Sequence, residues 1–180
     1  MPNLAIPRSQ VHRLAEACSD AGDAFQPTAT RLIRRQRRLS RFFEQNMTEM
    51  GPVPGQISLY MLSVVLRIFE QVGGRVKKVT GRELDQATAR VQQQLGDLFP
   101  ADDEFATRAR AIESRAQPHI LDEVLWALYE EHEDTEEASI EADQSALIYV
   151  MLWTAVEALD DVWSPPKGWV PETDPEADPS

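Results

Sequence analysis

Apolar residues recur at helical spacing along almost the whole chain, and they are densest in the stretch ADQSALIYVMLWTAVEALDDVW, Ala142 to Trp163. Every residue from Ala146 to Trp153 is apolar or aromatic. Ala142, Ala155, Val156, Ala158, Leu159 and Val162 extend the pattern at helical spacing on either side. A helix that is apolar nearly all round is a buried helix. Ile57 to Val72, ISLYMLSVVLRIFEQV, is a second strongly apolar segment. The pattern predicts that these two helices pack together at the centre.

The other segments read as amphipathic helices laid around that pair. Val11, Leu14, Ala15 and Cys18 mark one stripe, with Ser9 as N-cap and Gly22 as stop. A second helix runs from about Thr30 to Met50 on Leu32, Leu39, Phe42, Phe43 and Met47. Gly51-Pro52-Val53-Pro54-Gly55 reads as a break. Gly73-Gly74 reads as a C-cap, and Val76 to Thr80 is the only candidate for an extended piece. Thr80 and Glu83 fit a capping box before a stripe of Leu84, Ala87, Val91, Leu95 and Leu98. Asp102 can cap a helix carrying Phe105, Ala109, Ile112 and Ala116. Pro118 can open the next, on Leu121, Val124, Leu125 and Leu128, ending near Glu133. Thr135 or Ser139 then caps the central helix.

The expectation is an all-α, single-domain helical bundle of about seven helices around the two apolar ones. Residues 1–8 hold two prolines without periodicity and read as a flexible N-terminal arm. Residues 9–163 form the domain. Residues 164–180 hold five prolines and four acids and read as a disordered tail.

A length of 180 residues suits one domain, and a single cysteine excludes an intrachain disulfide. Cys18 lies on an apolar stripe, as a buried thiol would. No leader pattern opens the chain, and no uninterrupted apolar run reaches the ~20 residues of a membrane span. The expected location is the cytoplasm.

Charge divides the chain. Residues 1–90 hold 14 basic and 8 acidic residues, and residues 91–180 hold 4 and 22. The net charge of −12 disfavours nucleic acid at long range. The bulk of the basic excess comes from Arg31, Arg34, Arg35, Arg37, Arg38 and Arg41 on the second helix. Such a face can meet a polyanion. It can equally be a solvated face, or one paired with the acidic half.

Carboxylates form a second pattern. Glu133 and Glu136 are followed by Glu157 and Asp160, each pair three residues apart on one helix face. Four carboxylates from two helices could hold magnesium for phosphate chemistry. This spacing resembles the metal motif of the all-α nucleotide pyrophosphatases of the MazG type, over about residues 130–161. The resemblance implies a magnesium-dependent nucleotide pyrophosphohydrolase. His119, Asp122 and Glu123 share a helix face as transition-metal ligands can, but acids in a first helical turn also favour the dipole. The Glu-x-x-His pairs of a di-iron bundle are absent: Ala116 and Tyr129 stand where the carboxylates would.

Arg67 and Glu157 each interrupt an apolar helix, and buried charges need partners. The sequence predicts an ion pair or network joining Arg67 to Glu157 or Glu70. The leading functional expectation is a non-enzymatic protein-interaction or structural module without a cofactor, with a protein partner or self-association. The magnesium enzyme and nucleic-acid binding through Arg31–Arg41 are the alternatives.

Overall fold

The computed structural model describes residues 2–130 and 140–172. The all-α bundle is there, with one two-residue strand pair among the described residues. Helix α9, Ala142–Val162, is its axis. Every residue from Met151 to Asp160 is buried. Helices α4 (Pro52–Val72), α5 (Gly81–Gln92) and α8 (Pro118–Tyr129) surround it. The outer face of α4 carries α1 (Arg8–Ala21), α2 (Gln26–Arg35) and α3 (Arg37–Met47). Short α6 (Leu95–Leu98) and α7 (Phe105–Arg110) close one side.

Two expected helices are split. The second breaks at Gln36, whose backbone leaves the helical region at φ −108°, ψ 62°. Its side chain is buried and bonded to the segment after α4, which its position in a straight helix would not allow. The helix after Thr80 divides into α5 and α6, and the one after Asp102 stops at Arg110. There Arg115, only 5% exposed, gathers the turn: it donates to the Ile112 and Arg110 carbonyls and pairs with Asp122 at 3.0 Å. Helix α4 begins earlier than expected. Pro52 and Pro54 sit inside its first turn, where backbone N–H groups need no helical partner. By length and composition α4 could cross a bilayer. In this fold Met61, Leu62, Val65, Leu66, Ile68 and Phe69 are buried in the bundle, while Val53 and Tyr60 stay exposed. The capping box of Thr80 and Glu83 is present. Glu141 and Gln144 form another at the start of α9; Thr135 and Ser139, the expected caps, lie outside the described residues.

The described residues 2–8 and 164–172 differ from the expectation. The arm is anchored: Ile6 is fully buried, and its N–H donates to Gln117 Oε1 at 2.9 Å. Asn3 donates to the Asp160 carboxylate and to the Trp163 carbonyl. An apolar residue with its backbone satisfied can leave water even in a segment without periodicity. At the other end, β1 (Arg75–Val76) pairs antiparallel with β2 (Trp163–Ser164). The Trp169 ring packs edge-on against Trp163, with centroids 5.6 Å apart. Residues 173–180 of the expected tail lie outside the described residues.

Candidate polyanion-binding face

The arginines of α2 and α3 and the cations after α4 are distant in sequence, and the Gln36 break joins them. Gln36 Nε2 donates to the Lys77 carbonyl at 3.0 Å, and Gln36 Oε1 accepts from Val79 N–H at 2.9 Å. The Arg38 guanidinium lies directly against Gly81, where a Cβ would displace it. Arg35 lines a small hollow together with Gly73, Gly74 and Val76. Residues 31–41 and 75–82 hold ten cations and no acid. All ten are exposed.

Among the described residues, only one of these ten makes an ion pair. Arg31 donates to Glu70 through Nη1 and Nη2, at 2.8 and 2.9 Å. The Arg31 hydrogen bond holds the Glu70 carboxyl down at about 2, against burial, with help from Arg67. Arg34, Arg35, Arg37, Arg38 and Arg41 have no carboxylate within pairing distance among the described residues. Neutralisation by the acidic half, as one reading expects, is not seen there.

Helix electrostatics separate these arginines. Arg34 and Arg35 occupy the last turn of α2, where cations complement the dipole. Arg37 and Arg38 open α3, where cations oppose it. Arg37 and Arg41 also repel each other at i, i+4. Folding alone gives no reason for that placement.

The carboxylate constellation is differently arranged. Glu133 and Glu136 lie outside the described residues. Glu157 and Asp160 are buried and turned to protein groups. Glu157 Oε1 accepts from Ala116 N–H and Trp153 Nε1, each at 3.2 Å, and Oε2 lies 3.5 Å from Arg90. Burial pushes the Glu157 carboxyl above its ordinary value, opposed by those donors. Asp160 accepts from Asn3 and from Gln117 Nε2 at 3.0 Å. Among the described residues no group of three His, Cys, Asp or Glu side chains is placed to hold a metal. Asp122 pairs with Arg115 and Glu123 with His12, so neither joins His119.

Arg67 does not reach Glu157. It pairs with Glu70 one turn along α4, because its side chain faces α1 and α2 while Glu157 faces α5 and the α7–α8 turn. The partner of Glu157 is Arg90, which also holds Asp161 at 2.7 Å. Cys18 is buried, and burial raises its thiol above the ordinary value.

Arg90, Arg115, Gln36 and Gln117 carry much of this arrangement, and sequence reasoning did not single them out. Isolated polar residues announce nothing by spacing. Gln117 is the clearest case: it stands at φ 47°, in the left-handed region, directly before the proline of α8. Its side chain reaches Ile6, Leu4 and Asp160.

No family model, curated protein or solved structure matches this chain.

Proposed function

We propose that this protein is a non-enzymatic interaction module that binds the phosphate backbone of a nucleic acid through the α2–α3 arginines and the 75–82 segment. The observation that carries the reading is the exposure of these cations together, nine of them without a carboxylate partner among the described residues. Arginine forks match phosphate geometry, and each neutralised phosphate releases counterions. The large exposed apolar residues Leu4, Val53, Tyr60, Phe99 and Val170 all lie outside segments 26–41 and 75–82. A protein-docking hot spot normally has such an anchor. The face also lacks exposed aromatic rings for base stacking, so backbone contacts without sequence preference fit it best. Acids elsewhere on the molecule act weakly here, because charges are screened over about 8 Å at physiological salt.

The test compares a labelled single-stranded oligonucleotide with polyglutamate of equal charge, by fluorescence anisotropy at several salt concentrations. Tighter, strongly salt-dependent binding of the oligonucleotide supports the proposal. Preference for polyglutamate would instead make the partner an acidic protein segment, in line with a protein-interaction module.

A further inference from the structure

Between α1, α4 and α8 lies a cleft suited to the opposite charge. The C-terminal half of α1, the middle of α4 and the outer face of α8 enclose a space of about 270 Å³. Its floor is apolar, formed by buried Met61, Val65, Ile68, Ile120 and Val124. Its rim is acidic, with Glu16 and Asp20 from α1 and Glu123 from α8. No lysine or arginine lines it. Half-buried Trp126 stands at one side.

Size and charge restrict the occupant. This volume lies just under the ~300–1,000 Å³ of ordinary ligand pockets, so the space takes no more than one small molecule. A helix would need a groove several turns long. An uncharged apolar ligand would leave the carboxylates unused, and a polyamine would waste the floor. The fold already brings one nitrogen base to this rim. His12 Nδ1 lies 3.0 Å from Glu123, its Nε2 lies 3.7 Å from Glu16, and its ring meets Trp126 edge-on with centroids 5.7 Å apart. Asp20 makes no hydrogen bond or ion pair among the described residues, so its charge is available to a second cation.

We propose that this cleft binds a small aralkyl amine. The aromatic body lies on the Val65–Val124 floor, and the ammonium sits at the rim between Asp20 and Glu16. This site is separate from the arginine face and does not depend on the nucleic-acid reading.

The probe is phenethylamine, titrated calorimetrically at low ionic strength beside phenethyl alcohol, which has the same body without the charge. The amine should bind about tenfold or more tightly than the alcohol, the difference a charged hydrogen bond makes. The exposed double change Asp20→Asn with Glu16→Gln should erase that preference while leaving the melting temperature unchanged. Ala127→Trp should fill the cleft and abolish binding of both probes while leaving oligonucleotide binding intact. Equal binding of amine and alcohol, amine binding unaffected by the double change, or no amine binding at about 1 mM would each overturn the proposal.

Discussion

The side-chain oxygen of Gln36 accepts the Val79 backbone N–H at 2.9 Å, across a gap of 43 residues. With the Gln36–Lys77 bond, it fixes the 75–82 segment beside α2 and α3. Gln36→Ala should therefore leave the buried Val79 N–H without a partner and cost about 1–3 kcal/mol. Urea unfolding measures this. A near-neutral result would mean that water or another group replaces the glutamine, and that the face is not assembled by this residue.

Glu157 gives a sharper comparison. Both of its buried donors, Ala116 N–H and Trp153 Nε1, meet the same oxygen. Glu157→Gln keeps that oxygen and loses only the 3.5 Å approach of Arg90, which still has Asp161. The expected cost is under about 1 kcal/mol, as for a partly exposed pair. Glu157→Leu orphans both donors and should cost about 2 kcal/mol or more. The pH dependence has a definite sign. The folded carboxyl binds its proton more tightly than the unfolded one, so its contribution falls as pH rises from the ordinary carboxylate value through the folded one. The Gln variant should lack that decline. Equal losses for Gln and Leu across pH would show that the charge itself is needed.

Glu70 should behave in the opposite direction. Its carboxyl is held at about 2, against an ordinary 4.5, so its contribution is complete above 4.5 and disappears as pH falls through 2. Glu70→Gln should cost about 1 kcal/mol at neutral pH, since Arg31 is half exposed. The difference from the parent should vanish near pH 2. Thermal melts across that range test it, and a constant difference would refute the pairing.

The carboxyl end of the described chain rests on Gly73-Gly74. Gly74 has φ +80°, and the Ser164 carbonyl fills the space a side chain would need. Trp163 Nε1 donates to the Gly73 carbonyl at 3.0 Å. Gly74→Ala should cost about 1–3 kcal/mol from the dihedral alone, with the clash adding to it. Trp169→Ala should cost about 1 kcal/mol through its contact with Trp163. Calorimetric melting measures both. An unchanged melt for Trp169→Ala would restore the sequence expectation that residues 164–180 read as a disordered tail.

The parts that were legible in the sequence are those governed by periodicity. Ala146–Trp153 is apolar all round, and it forms the buried axis. Thr80 and Glu83 sit at the capping spacing, and they make the box. The parts that were not legible depend on single polar groups meeting across the fold. Nothing local distinguishes Gln36 from the other glutamines, yet its bonds break a helix. Ile6 lies among prolines without a stripe, yet it is fully buried. Arg31–Arg41 was visible as a cluster. Its union with Arg75, Lys77, Lys78 and Arg82 was not, because only the tertiary fold brings those segments together. Arg67 and Glu157 were recognised as charges needing partners, but periodicity says nothing about which helix each one faces.

The most direct measurement is the salt dependence of oligonucleotide binding by the parent and by a variant carrying Arg34→Gln, Arg35→Gln, Arg37→Gln and Arg41→Gln. These four side chains are exposed and make no ion pair among the described residues, so the fold should survive their loss. The parent should show affinity that falls steeply with salt. The variant should bind far more weakly, with a slope smaller by about 0.7 for each phosphate contact removed from a single strand. A parent without salt-dependent binding, or a variant with the parent's affinity and slope, would contradict the account.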